Sequence, residues 1–330
     1  MADTLLTLLD ITKQNGTDQA VGVVEEVRTF APEVNVVGGR PIKGTTYKAL
    51  VRAALPSTPA FRAANTGSAV MASRWDQRVN QCFFLDAQMR VDEMVLDSSE
   101  FGPEWVLANE AVGVVKQKLI TLGNQFYYGA PSTTDFGFAG LQNLYDPATM
   151  EVTANAKGSL GATTSSAWLV VNMPDCVEFI YGNNQGLQMK QWMPQYVVAT
   201  NSQYRAFVNN LSGYIGLSFN YTKSACRIKN LTALGTASNT GLTDELVAQA
   251  LAKFPVGTVP THLFCSRGQR LCLQASRTPV FSSTTGKSAI TSNLQLQYAG
   301  TPVESNGIPL HVTDSILDTE TATTAGSTTS

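Results

Sequence analysis

The sequence predicts an α+β fold arranged around one unusually long helix. Three observations carry this expectation. An apolar stripe at three- and four-residue steps runs for about 25 residues from Pro103. Short segments with strand character recur between Trp168 and Ile228. Two shorter helical signals come after those strands instead of alternating with them.

Taken in order, the chain to about Pro32 carries short apolar clusters and then Glu25-Glu26, with no strong period, and reads as an arm that needs a partner. Val34, Val36 and Val37 lead into Gly38-Gly39-Arg40-Pro41-Ile42-Lys43-Gly44, which is turn-rich. From Thr45 to Ala53, Tyr47, Ala49 and Val51 alternate with Lys48, Leu50 and Arg52, the period of a strand. The expectation is a long two-stranded projection, basic at its tip. Such a hairpin is marginal alone in water, so it should lie on a neighbour.

The long helix is expected over about Pro103 to Tyr127, with Pro103 at the first helical position and Glu104 in the first turn. Trp105, Ala108, Val112, Val115, Leu119, Leu122 and Phe126 form its apolar stripe, and Gly129 and Pro131 end it. At 1.5 Å per residue it would be roughly 37 Å long, a scaffold for other elements. A Gly- and Thr-rich turn spans Gly129 to Leu141. Strands are expected at Trp168 to Val171, Cys176 to Tyr181, Tyr196 to Ala199, Tyr204 to Val208, Gly216 to Tyr221 and Ala225 to Ile228. Thr243 caps a helix reaching Phe254, and the strand His262 to Cys265 leads into a helix ending near Ser276. Phe281 to Ser292 reads as a Ser/Thr-rich loop and Ile308 to Thr313 as a last strand. Thr319 to Ser330 is low in complexity and expected to be disordered.

Charge is the unusual quantity of the composition. Charged residues make up 15% of the 330 positions, against about 25% in ordinary soluble domains. Interfaces lose charge at their cores, so a charge-poor chain rich in Ser, Thr, Asn and Gln fits burial against copies of itself. A secreted protein would present a similar surface. The net charge is −2 and no basic stripe is present, which argues against tight binding to phosphate backbones. An odd number of scattered cysteines, Cys82, Cys176, Cys226, Cys265 and Cys272, is no disulfide framework and fits a reducing compartment. Asp3 and Asp10 interrupt the apolar start of the chain, so no secretory leader is expected. No apolar run approaches the ~20 residues a membrane helix needs.

No motif for chemistry stands up. Gly286-Lys287-Ser288 resembles the end of a phosphate-binding loop, but Phe281 occupies the place of its first glycine. His262 and His311 have no metal-ligand spacing, and packing or a simple hydrogen bond is expected of them. Neither a GxSxG elbow nor a GxGxxG fingerprint occurs. Asp86, Asp92, Glu93 and Asp97 cluster, best explained as a solvated or interface face. No catalytic, cofactor-binding or metal-binding residue is therefore expected, and no cofactor.

The order of parts resembles the tailed-bacteriophage major capsid proteins of the Hong Kong 97 fold. Phe126-Tyr127-Tyr128-Gly129 followed by Phe138-Ala139-Gly140-Leu141 looks like the exit from that family's spine helix. Ser166-Ala167-Trp168-Leu169-Val170-Val171 resembles a strand of one branch. Gly216-Leu217, then Cys226-Arg227-Ile228-Lys229-Asn230, looks like its closing strand. Gly307-Ile308-Pro309-Leu310-His311-Val312 resembles the strand that returns to the peripheral domain.

The resemblance implies a Hong Kong 97-type α+β fold with spine helix, long antiparallel sheet, extended β-hairpin loop and mixed α/β axial domain. It implies an N-terminal arm (1–33), the extended loop (34–81), a peripheral domain (82–165 and 300–318), a β-rich segment with the axial domain (166–299) and a disordered tail (319–330). The function implied is self-assembly into hexamers and pentamers of an icosahedral head enclosing double-stranded DNA. The implied partners are other copies of the chain, a separate scaffolding protein, a portal and a possible cement protein. DNA would be contacted weakly and non-specifically, and no membrane is involved. Assembly would take place in the host bacterial cytoplasm, and the protein would reside in the virion capsid. Arg40, Lys43, Lys48 and Arg52 are the candidate intersubunit contacts. An encapsulin-like bacterial shell protein, or an acid/base enzyme of α+β fold, remains an alternative.

Overall fold

The computed structural model describes all residues except 1–4, 16–28, 58–60, 69, 133–135, 156–162, 175, 200–201, 233–239, 278–298 and 324–330. The Phe281 to Ser292 loop, the Gly286-Lys287-Ser288 sequence and the last residues of the tail lie outside the described residues.

The chain opens with α1 (Leu8–Gln14), capped by Thr7, whose hydroxyl oxygen accepts from the Asp10 amide while Asp10 accepts from the Thr7 amide. This reciprocal cap lets an arm without strong periodicity form a helix, and Ile11 docks it on Val91, Leu96, Val106 and Leu107. Next come α2 (Glu33–Val37), β1 (Gly39–Pro41), β2 (Thr46–Ala54), β3 (Arg74–Gln81), β4 (Phe83–Asp92), α3 (Glu93–Asp97) and the long α4 (Pro103–Tyr128). The second half runs α5 (Leu141–Leu144), β5 (Glu151–Thr153), β6 (Thr164–Val170), β7 (Val177–Tyr181), β8 (Gln188–Met189), β9 (Met193–Ala199), β10 (Ser202–Phe219) and β11 (Ala225–Thr232). It closes with α6 (Asp244–Leu251), β12 (His262–Cys265), α7 (Arg267–Arg277), β13 (Glu304–Ser305) and β14 (Ile308–Val312).

Two six-stranded sheets organise these elements. In the first, β10 is the axis: β4 pairs along one edge, while β7, β8 and β9 follow one another along the other. The two strand signals expected at Tyr204 to Val208 and Gly216 to Tyr221 are one continuous 18-residue strand. The Asn209-Asn210-Leu211-Ser212-Gly213 stretch reads locally as a turn, but pairing on both edges holds it extended. The second sheet has the order β13-β14-β12-β6-β11-β5, with every residue of β6 and β11 buried.

The C-terminal end of α4 joins the two. Phe126 lies 5.4 Å from the Phe179 ring of the first sheet and 6.3 Å from Phe264 of the second, and Tyr127 lies 6.3 Å from Trp168. Each is a buried aromatic pair in edge or tilted geometry.

Several expectations need correction. The helix is 26 residues long, and Leu122 and Phe126 of the expected stripe are buried, but toward its start the buried residues are Val106, Leu107, Ala111 and Lys118 instead. Ala108 and Val112 are exposed. Lys118 displaces the pattern: its Nζ donates to the Leu85 carbonyl at 3.1 Å and to the Leu211 carbonyl, clasping β4 and β10 to the helix.

Val34, Val36 and Val37 belong to a helix, and the following glycine turn is not a tip. β1 pairs in parallel with β7 at the base of the projection, where Ile42, Cys82 and Ile180 bury one another. The projection is the β2–β3 hairpin, whose described far end exposes Leu55, Phe61 and Val70. Within 166–299, β6, β11 and β12 belong to the second sheet, whereas β7 to β10 join the first. Residues 319–323 are ordered against β6 and β11.

Candidate functional site: the projecting hairpin and its base

Antiparallel register brings side chains of one strand face to face with those of the next. Lys48 pairs with Val79, Leu50 with Gln77 and Arg52 with Trp75, so these six share one face of the hairpin. That face is open: Leu50 is 69% exposed, Val79 57% and Trp75 52%. The guanidinium of Arg52 lies 4.6 Å from the centre of the Trp75 ring, a cation–π contact that holds both across the face. Tyr47, Ala49 and Val51 occupy the other, half-covered face, as their period predicts. Among the described residues the hairpin is a sheet of two strands only. Its base is tied down by the Asn80 side-chain amide, which donates to Asn220 at 2.7 Å.

The four expected contact residues are not one patch. Lys48 and Arg52 stand on the open face and Lys43 is exposed in the turn at the base. Arg40 is engaged within the chain, 2.7 Å from Glu178 and 4.6 Å from the centre of the Tyr47 ring. These contacts link the hairpin base to β7. The acidic cluster is likewise divided: Asp92 caps α3, Glu93 pairs with Arg205 at 3.3 Å, and Asp86 and Asp97 are exposed.

Groups that resemble chemistry are structural. The Nδ1 of His262 and the Nε2 of His311 are 3.1 Å apart on adjacent strands β12 and β14. Sequence reading kept these residues separate, because parallel strand pairing across a long connection leaves no local signal. Burial pushes both imidazoles below their ordinary 6.5, and the His311 ring adds to this for His262. The five thiols are buried, and burial pushes Cys82 up to about 11 and Cys226 and Cys265 up to about 12, which keeps them protonated. Glu33 is fully buried and accepts from the Thr313 hydroxyl, with Tyr127 and Ser315 beside it. Burial raises its carboxyl above the usual range, against the pull of those hydroxyls. It anchors α2 to α4 and to the segment after β14. Among the described residues, no three His, Cys, Asp or Glu side chains converge on a metal position. No described helix is long and apolar enough to cross a membrane.

The family described as Major capsid protein GP7 matches residues 18–324. The structure of bacteriophage Epsilon15 superposes over 98% of this chain and 99% of that one, with a TM-score of 0.69 at 18% identity. A Mycobacterium phage Adephagia structure covers 68% of this chain and 98% of that one, with a TM-score of 0.47 at 9% identity. The capsid of the native GTA particle covers 66% and 95%, with a TM-score of 0.45 at 11% identity. No curated protein sequence matches.

Proposed function

The chain belongs to the major capsid protein GP7 family and has the Hong Kong 97-type fold; from that premise we propose that its copies form hexamers and pentamers closing an icosahedral head around double-stranded DNA. The family is structural, not enzymatic. In this reading the β2–β3 hairpin is the extended loop, α4 with the first sheet the peripheral domain, and the second sheet with α6 and α7 the axial domain.

One observation carries the assembly reading: a two-stranded hairpin exposing Leu50, Trp75 and Val79 between Lys48 and Arg52. Strands ~9 residues long reach roughly 30 Å, and so much apolar surface on an isolated hairpin favours a cover. An adjacent copy supplies one, with carboxylates to meet Lys43, Lys48 and Arg52. A shell repeats one interface many times, so small gains per subunit add up. The weak net charge, −2, suits a wall that holds DNA without gripping it. A separate scaffolding protein, a portal and a cement protein are the further partners proposed, with assembly in the host bacterial cytoplasm.

The test reverses Lys43, Lys48 and Arg52 to Glu and leaves Arg40, which serves the fold, untouched. The expected outcome is a subunit with unchanged circular dichroism that no longer forms shells in sedimentation or electron microscopy. Normal shells from this variant would refute the hairpin's role.

A further inference from the structure

We propose that residues 314–323 act as a closing strap: Glu320 completes a buried charge pair that the rest of the fold leaves open, so a subunit becomes competent to assemble only when the strap is seated. Strand β11 turns two cations inward, Arg227 and Lys229, both buried. Lys229 has its counter-charge nearby in sequence order of the sheet, since Glu151 of the adjacent β5 lies 2.8 Å away. That carboxylate also accepts from the Tyr145 hydroxyl at 2.8 Å, so it is committed. Arg227 is paired instead with Glu320, at 3.0 Å.

The strap is built to deliver that carboxylate. Thr164 and Glu320 exchange main-chain hydrogen bonds of 3.2 and 2.8 Å, and the Thr164 hydroxyl donates to the same Glu320 carbonyl at 2.7 Å. The second carboxylate oxygen of Glu320 accepts from Ser166 at 2.7 Å and from the Tyr128 hydroxyl at the end of α4. On either side, Ser266 donates to Asp318 at 2.6 Å, and Asn230 exchanges two hydrogen bonds with the backbone of Thr323. Ala322 is buried between them. The strap therefore ties the spine helix to β6, β11 and the β12–α7 corner at once. Its removal would leave a buried guanidinium without a carboxylate, the costly way to break an ion pair.

The experiment compares the full chain with chains ending at Thr323 and at Asp318. The chain ending at Thr323 should melt and assemble like the full chain. The chain ending at Asp318 should melt roughly 4–7 °C lower and form no shells. A synthetic peptide covering residues 317–330, added in trans, should bind it saturably and restore both properties. The same peptide with Glu320→Gln should bind at least tenfold more weakly. Arg227→Met in the shortened chain should recover part of the lost melting temperature, and it keeps the test decisive if the shortened chain alone is unfolded. Unchanged melting on loss of 319–330, equal rescue by the Glu320→Gln peptide, or no recovery with Arg227→Met would each overturn the proposal. The melting and peptide arms do not depend on the shell reading. A strap effect in them, with a full chain that never assembles, would sink that reading and the link to assembly, and leave the strap only as the closure of the buried charge pair.

Discussion

Replacing Phe126 with Ala separates two readings of the spine helix when set beside Val112→Ala. Both residues fall on the apolar stripe read from the sequence, yet Phe126 is fully buried and Val112 is 49% exposed. Phe126 fills the joint between the sheets, with ring neighbours Tyr127 at 5.0 Å, Phe179 at 5.4 Å and Phe264 at 6.3 Å. These rings belong to three separate elements and cannot collapse together into the space, so the cost should be near ~3–5 kcal/mol for a large-to-small core change. With an unfolding entropy of ~2.1 cal/mol/K per residue, that lowers Tm by roughly 4–7 °C for a chain of this length. Val112→Ala should stay within ~0.5 kcal/mol in the free subunit. Thermal melts of unassembled protein, with urea titration as a second measure, check both. Equal losses in the two variants would refute the assignment of the buried face.

Two further outcomes follow from buried polar groups. Gly123→Ala should destabilise by ~1–3 kcal/mol, because a Cβ there would stand 2.2 Å from Ser315 Oγ and 2.8 Å from Glu33 Oε2; denaturant melts should show partial rescue by Ser315→Ala. The His262–His311 pair makes stability depend on pH, since both folded-state values lie below the ordinary 6.5. The unfolded chain then binds more protons, so this contribution is intact above about pH 6.5 and is lost as pH falls through the depressed folded values. A His262→Gln/His311→Gln variant should lose that share of the slope between neutral and mildly acidic pH, read as the difference in melting temperature from the parent protein. Identical profiles would refute it.

What the sequence determined by itself was local and periodic. Gly102-Pro103-Glu104 started the long helix and Gly129 ended it where expected, because caps and proline act within one turn. Thr243 capped α6 as read, and the alternation of Tyr47, Ala49 and Val51 placed β2 and its faces. The ordered succession of motifs from Phe126 to Val312 was enough to resemble the capsid family. The tertiary structure decided whatever depended on partners distant in the chain. A lysine on the buried helix face looks polar until Leu85 and Leu211 present carbonyls to it. A Gly- and Asn-rich stretch reads as a turn until strands pair on both its edges. Arg40 looks like a free contact residue until Glu178 is brought beside it. The tail reads as disordered because Thr, Ala and Gly carry no periodicity, and a single glutamate counts for little in composition. Only the fold shows that Glu320 faces a buried arginine 93 positions earlier. Local propensity is written in neighbours along the chain, whereas burial and charge pairing are set by neighbours in space.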